Sequence, residues 1–258
     1  MSHNFINNSK LVNKLVLDSR ISKNDLVLEI GPGKGSITRE LIRVAGKVIA
    51  VELDEYFFNI LKKEFNGLES ITLINNNFFS FTTPSRSYKV FSNIPFSITS
   101  EIVKKLTADK NFQEGYLIMQ KEAAQKFIGK PIDTKNSMQS VLLKPWFDIS
   151  VFWKFSAWDF TPKPNVEIVM LKIVRRELPL LSYKQRNVYR DYVYVSYNRQ
   201  KMAKLEYEYF FMLFNNYLKN SGPDEKKINA IKAQRIMKEQ GLIRKIHRTR
   251  KDNKWRTF

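Results

Sequence analysis

The chain alternates short apolar runs with stretches in which apolar residues recur at helical spacing. Leu26-Val27-Leu28-Glu29-Ile30, Val48-Ile49-Ala50-Val51, Ile71-Thr72-Leu73-Ile74 and Tyr88-Lys89-Val90-Phe91 each close on turn or polar residues, as β-strands do. Between them, Ile37, Leu41 and Val44, then Phe57, Ile60, Leu61 and Phe65, fall on single helix faces. After Asn93, the series Ile98, Ile102, Val103 and Leu106 predicts another helix. Strand–helix alternation of this length predicts an α/β fold with a mainly parallel, doubly wound sheet. From Trp146 to Val174 the pattern turns β-rich, with Val166-Glu167-Ile168 and Leu171-Lys172-Ile173 alternating. Pro179 opens a helical segment, so a small C-terminal α-helical domain is expected. The predicted division is a first domain over 1–177, a helical domain over 178–245 and a basic tail over 246–258.

Charge changes the picture of that second part. The chain has 44 Lys and Arg against 25 Asp and Glu, a formal net charge of +19. Residues 178–258 hold 19 basic and 7 acidic side chains, a net +12 in less than half the length. Arg244, Lys245, Arg248, Arg250, Lys251, Lys254 and Arg256 crowd the end, which points to a polyanionic partner. Tyr189, Tyr192, Tyr194, Tyr197 and Trp255 are interleaved with these charges. Their spacing suits stacking on unpaired bases and packing inside helices equally.

The 43% hydrophobic fraction supports a packed core and argues against a disordered polycation. No run approaches the ~18 apolar residues of a membrane span, and Met1 to Lys10 lacks the apolar core of a signal peptide. A soluble, cytoplasmic protein is expected. Cysteine is absent, and His3 and His247 are the only histidines. Thiol nucleophiles, Cys/His zinc sites and a Ser-His-Asp triad are therefore disfavoured. With no clustered acidic motif, the chemistry is expected to need no metal.

The candidate site begins at Glu29-Ile30-Gly31-Pro32-Gly33-Lys34-Gly35, which closes the first of these strands and opens a helix. Glycine permits positive φ and close approach of a ligand to the backbone. Gly35 stands where a triphosphate-binding loop needs Ser or Thr, and the G-x-G-x-G spacing differs from that of a dinucleotide site. Glu52 ends the next strand, where a carboxylate can accept from both ribose hydroxyls. Glu29 beside the glycines repels pyrophosphate but suits a cation. S-adenosylmethionine, with a sulfonium, an ammonium and a ribose but no phosphate, fits that set.

Asn93-Ile94-Pro95-Phe96 follows the fourth of these strands, at the carboxyl edge where open α/β sheets hold ligands. Proline pushes Ile94 to extended geometry, so its carbonyl and the Asn93 side-chain oxygen can both accept from one exocyclic NH2. Phe96 can stack on the base that carries it. Adenine N6 is a poor nucleophile because its lone pair is delocalised. Two acceptors favour a pyramidal nitrogen aimed at a sulfonium methyl, and in-line displacement then proceeds by positioning and electrostatics.

These motifs, in order, resemble the Erm family of ribosomal RNA adenine-N6 methyltransferases within the rRNA adenine dimethyltransferase superfamily. Ser2-His3-Asn4-Phe5-Ile6 is similar to its S-Q-N-F element, Glu29 to Gly35 to E-I-G-x-G-K-G, and Val51-Glu52-Leu53-Asp54 to its ribose-binding strand end. Asn93 to Phe96 matches N-[IL]-P-[YF], and Phe160-Thr161-Pro162-Lys163-Pro164-Asn165-Val166 is similar to F-x-P-x-P-x-V. The sequence departs from the family at Asn77, where Asp usually contacts the cofactor adenine, and at His3 in place of Gln.

The resemblance implies a Rossmann-like class I methyltransferase that uses S-adenosylmethionine. It implies cofactor contacts from Asn4, Phe5, Glu29, Gly31, Gly33 and Gly35, and from Glu52, Leu53, Asn77, Phe78 and Asn93. Asn93, Ile94, Pro95 and Phe96 are the implied catalytic set, with Phe160 beside the flipped target base. The implied substrate is one adenine in the peptidyl-transferase region of naked or precursor 23S rRNA, modified by a monomer. Resistance to macrolides, lincosamides and streptogramin B is the implied consequence. The sister branch, acting on small-subunit rRNA, and a non-catalytic nucleic-acid-binding relative are the alternatives; Ile94, Phe96 and the short start favour the first.

Overall fold

A computed structural model describes residues 4–130, 135–197 and 204–252, with side chains through residue 240. The first strands and helices are β1 (Phe5–Ile6), α1 (Ser9–Asp18), β2 (Leu26–Ile30), α2 (Ser36–Val44), β3 (Lys47–Glu52) and α3 (Glu55–Glu64). They continue with β4 (Ile71–Asn75), β5 (Tyr88–Asn93), α4 (Thr99–Ala108), β6 (Phe112–Gln120), α5 (Lys121–Ile128) and α6 (Met138–Leu143). β7 (Phe147–Lys154), β8 (Phe160–Thr161) and β9 (Ile168–Arg175) precede α7 (Arg186–Ser196), α8 (Tyr207–Asn220) and α9 (Pro223–Asp252).

Seven strands form one sheet in the order β4-β3-β2-β5-β6-β9-β7. The first five are parallel, and β9 and β7 add antiparallel to β6. β2 is buried at every position, the sign of a strand covered on both faces. Val12, Leu15 and Val16 of α1 and Ile37 and Leu41 of α2 join Val27, Val48 and Ala50 in one apolar core. Strand order reverses between β2 and β5, with β3 and β4 on one side and β6 on the other. That makes the crevice beyond the carboxyl ends of β2 and β5 the expected ligand site.

All four predicted strands and the helices between them are present. The pattern did not identify β6, whose Gly115–Met119 stretch is entirely buried. A run hidden on both faces has no polar alternation to announce it. Nor did it reveal the two-residue pairing of β1 with β8, which matches Phe5 to Thr161 and Ile6 to Phe160.

The chain divides into two units, residues 1–125 with 147–177, and residues 126–146 with 178–258. The cut after Glu177 was expected, but 126–146 does not belong to the first domain. Its partners explain why: the Tyr189 hydroxyl donates to the Val141 carbonyl at 2.8 Å, and the Tyr197 hydroxyl to the Asn136 carbonyl at 2.9 Å. Trp146 stacks on Tyr183 with ring centres 5.2 Å apart.

In the second unit, Tyr189 is buried and lies edge-on to Phe214 at 4.9 Å. Tyr192 packs on Phe210, Phe214 and Tyr217. These two tyrosines build an aromatic core; they are not bare stacking surfaces. The separate tail over 246–258 is also revised, because α9 runs unbroken to Asp252. Trp255, Lys254 and Arg256 lie outside the described residues, as do the side chains of Arg244, Lys245, Arg248, Arg250 and Lys251. No helix among the described residues is long and apolar enough to cross a membrane.

Candidate active site

The glycine turn is built by backbone that only glycine tolerates at low cost. Gly31, Gly33 and Gly35 have φ of +66°, +53° and +77°. They do different work. A Cβ on Gly31 meets nothing within 4 Å, so this edge of the turn is open to a ligand. A Cβ on Gly33 would stand 2.8 Å from Cε1 of Phe5, and one on Gly35 would stand 2.7 Å from Cδ2 of Leu61. Gly35 therefore serves packing and the start of α2.

Glu52, at the end of β3, braces this turn. Its Oε2 accepts from the Gly33 amide and its Oε1 from the Asp54 amide, both at 2.9 Å. Each carboxylate oxygen keeps a second lone pair for a ribose hydroxyl, so the role expected of Glu52 fits alongside its bracing role. The Asp54 side chain caps α3 through the Tyr56 amide at 2.9 Å. Leu53, between these two carboxylates, is 63% exposed and offers an apolar surface beside them.

Glu29 is 1% exposed, and neither its Oε2 nor the buried Oγ1 of Thr38 has a hydrogen-bond partner among the described residues. Burial pushes the Glu29 carboxyl up to about 8; the Thr38 hydroxyl opposes this and the Glu52 charge adds to it. A buried acid with an orphaned oxygen suits a cationic group arriving at the turn. The residues present thus fit S-adenosylmethionine.

This burial has a testable consequence. In the unfolded chain Glu29 loses its proton near 4.5, whereas in the fold it keeps it to about 8. Between those values the unfolded state binds fewer protons, so stability falls as pH rises, by on the order of a few kcal/mol in all. Glu29→Gln does not titrate. Its melting temperature is expected to exceed that of the parent protein by a margin that widens from pH 5 to pH 8. Melting curves across that range check it, and a constant margin counts against it.

The acceptor residues sit at the end of β5, next to the turn. The Ser92 hydroxyl donates to the Ile30 carbonyl at 2.5 Å and accepts from the Ile30 amide at 3.3 Å, tying β5 to β2. Asn93 Nδ2 donates to the backbone carbonyl of Asn4 at 2.8 Å. That bond fixes which end of the amide points where, and leaves Oδ1 as the acceptor. Ile94 is buried, with its amide 3.3 Å from the Ile118 carbonyl, and Pro95 is extended at φ −60° and ψ 124°. Phe96 is half-buried, with part of its ring available.

Phe5 does more than was expected of a cofactor contact. Its ring packs on Phe57 at 5.5 Å and carries the Lys34 ammonium 4.9 Å above it, while its strand pairs with β8. Ser2 and His3 lie outside the described residues.

Phe160 departs from expectation. It is 3% exposed and packs edge-on to Phe155 at 5.2 Å, so it is a core residue and not an open face for a base. A Phe on a two-residue strand paired with β1 is held where the core needs it.

Asn77 is exposed, and its Oδ1 closes a turn by accepting from the Phe79 amide at 2.9 Å. Phe78 points inward under the Lys105 ammonium, 4.7 Å from its ring, while Phe79 is 41% exposed. Lys105 also donates to the carbonyls of Phe78 and Phe81, each at 2.6 Å, so one ammonium pins the loop that follows β4. Burial pulls its pKa below the ordinary lysine range, with Asp109 opposing. Sequence reasoning missed Lys105, because one Lys in a Lys104-Lys105 pair on a helix carries no signal.

The profile of the family described as Ribosomal RNA adenine dimethylase matches residues 1–217. The chain is 36% identical over 187 residues to an rRNA adenine N-6-methyltransferase of Bacillus licheniformis, covering 72% of this chain and 64% of that protein. It therefore spans less than two thirds of that relative's length. It is 31% identical over 211 residues to Ribosomal RNA small subunit methyltransferase A of Mycoplasmopsis pulmonis (strain UAB CTIP), covering 81% and 82% of the two chains. The crystal structure of 23S rRNA methyltransferase ErmE superposes with a TM-score of 0.71 at 23% identity, over 82% of this chain and 98% of that one, which shows a shared fold. A dimethyladenosine transferase from Plasmodium falciparum gives 0.64 at 25% identity, over 72% and 69%. By its matched length and these relatives, the chain belongs to the ribosomal RNA adenine dimethylase family, enzymes of the class I S-adenosylmethionine-dependent methyltransferase fold.

Proposed function

We propose that this protein methylates N6 of one adenine in the peptidyl-transferase region of 23S rRNA, and so confers macrolide–lincosamide–streptogramin B resistance. The observation that carries the reading is the Asn93 amide, held by the Asn4 carbonyl at 2.8 Å so that its oxygen is the free acceptor. S-adenosylmethionine, when bound, would supply an electrophilic methyl group and leave as S-adenosylhomocysteine once its sulfur–methyl bond breaks. Asn93 Oδ1 and the Ile94 carbonyl take the two hydrogens of the adenine amine and turn its lone pair outward. Phe96 supports the base once it leaves its stack, a move that costs a few kcal/mol in RNA. The Glu52 carboxylate receives the ribose and the buried Glu29 faces the cationic end, with Asn4, Phe5, Leu53, Asn77 and Phe78 around them. The nitrogen's acidity after transfer lets its proton pass to water.

The first unit does the chemistry in this reading, and the second unit grips phosphates with Arg244, Lys245, Arg248, Arg250, Lys251, Lys254 and Arg256. Binding then weakens steeply with salt. The enzyme acts as a cytoplasmic monomer on RNA not yet covered by ribosomal proteins. Choice of the large-subunit target rests on Asn93-Ile94-Pro95-Phe96 and on the shared fold of ErmE, a 23S rRNA methyltransferase. The Mycoplasmopsis relative, covered over 82% of its length, favours the small subunit as the second reading.

Methyl transfer from labelled S-adenosylmethionine to protein-free 23S and 16S rRNA, with primer extension to map the base, separates these. A stop at one adenine of the 23S peptidyl-transferase loop is expected. Label in 16S rRNA alone moves the protein to the small-subunit branch, and label in neither rejects both.

A further inference from the structure

Trp158 has no part in the chemistry above, yet its indole is 76% exposed. It sits in a short helical turn, Ala157–Asp159, between β7 and β8. The Lys163 ammonium stands 3.8 Å from the ring centre on one face. The turn is rigidly held. Ser156 and Asp159 cap it reciprocally, the Asn7 amide donates to the Asp159 carbonyl at 2.9 Å, and Asn8 Nδ2 donates to Asp159 Oδ1 at 3.1 Å. A second bond from Asn7 Nδ2 reaches Thr161 Oγ1 at 2.7 Å. Beside the turn opens a cavity of about 290 Å³ lined in part by Ala157, Pro164 and Asn165.

These anchors follow β1 directly, and Asn4, whose carbonyl orients Asn93, directly precedes it. One short N-terminal segment therefore braces both the acceptor and the exposed indole.

We propose that Trp158, with Lys163 against it, is a stacking platform for an unpaired nucleobase of the RNA substrate that flanks the target adenine. The proposal deepens the RNA reading above and rests on it. Every base offers a π face to an indole, and such stacking is sequence-tolerant. The lysine decides the class of partner. An apolar surface closing over Trp158 would bury an ammonium without a counter-charge, whereas every nucleotide brings its own phosphate. The net charge of +19 acts in the same direction.

The test uses the full chain with protein-free 23S rRNA and with a short single-stranded RNA carrying 2-aminopurine. Trp158→Ala is expected to weaken RNA binding by about 5- to 150-fold, the range for losing one stacked base, without changing the salt slope. Trp158→Phe restores most of the affinity. Lys163→Ala flattens the slope by about one. Quenching of 2-aminopurine by the parent protein disappears in Trp158→Ala, while S-adenosylmethionine affinity and melting temperature hold. Unchanged RNA affinity and quenching in Trp158→Ala overturn the proposal. So does a Trp158-dependent self-association in sedimentation, which would make the indole a contact between copies of the chain. The two readings fail separately: Trp158-dependent quenching without methyl transfer to any rRNA rejects the enzyme reading and keeps the platform.

Discussion

Asn93→Ala is expected to lower the methyl-transfer rate at saturating substrates by about 10²- to 10³-fold, the usual cost of losing one preorganised hydrogen-bonding group at a reacting centre. In the proposed mechanism the side chain supplies one of two acceptors for the adenine amine, and its orientation is set by the bond from Nδ2 to the Asn4 carbonyl at 2.8 Å. RNA affinity should hold, because the proposed phosphate contacts are assigned to other residues. Asn93→Asp tests the same geometry more sharply. It keeps an acceptor oxygen but places a second oxygen against the Asn4 carbonyl, so the group swings away or takes up a proton. The expected order of rates is Asn93, then Asp, then Ala. Rapid-quench measurement of a single turnover reads the step directly, and an Ala variant with parental turnover overturns the mechanism.

Gly33→Ala is expected to damage both stability and cofactor binding. An L-residue at φ +53° carries about 1–2 kcal/mol of strain. The new methyl also meets Phe5 Cε1 at 2.8 Å, so Phe5 must leave its place against Phe57. With about 2–4 °C per kcal/mol for a chain of this size, a fall of several degrees in melting temperature follows. The displacement travels further, because Phe5 belongs to the strand next to Asn4, and the Gly33 amide is a donor to Glu52. A loss of cofactor affinity of tenfold or more is expected by calorimetric titration. Gly31→Ala separates strain from displacement: φ is +66° there, but its methyl meets nothing within 4 Å. If the two variants melt alike, the contact of Phe5 with Gly33 has no structural consequence.

The parts legible in the sequence are those governed by local pattern. β2 to β5 each stand between turn residues, and helices of clear periodicity separate β2, β3 and β4 and follow β5, so a doubly wound sheet could be inferred. The glycine turn, Glu52 and Asn93 were found because strand ends of such a sheet converge on one crevice. The illegible parts depend on contacts far apart in the chain. β6 carries no alternation, and pairing between two-residue strands such as β1 and β8 leaves no periodic trace. Phe160 shows the same limit: its motif resembles a base-side element, yet its place is decided by Phe155 and by Ile6 across the strand pair. For Tyr189 and Tyr192 the spacing left two readings, and the Phe210 and Phe214 rings decide for packing. The membership of 126–146 in the second unit rests on hydrogen bonds to residues some fifty positions later, such as that of Tyr189 to Val141.

The pairing of Phe5 with Thr161 also sets a timetable for synthesis. The segment that orients Asn93 is made before it, but that segment's strand partner is made more than one hundred and fifty residues later. A nascent chain that has just exposed Asn93 to Phe96 holds the glycine turn and both carboxylates, yet lacks what keeps Asn4 in place. Because chain elongation runs at about 5–20 residues per second, an interval of several seconds separates the acceptor's synthesis from its completion. Until Thr161 has emerged, a growing chain lacks the pairing that seats Asn4, and a fragment released before that point is expected to transfer no methyl groups.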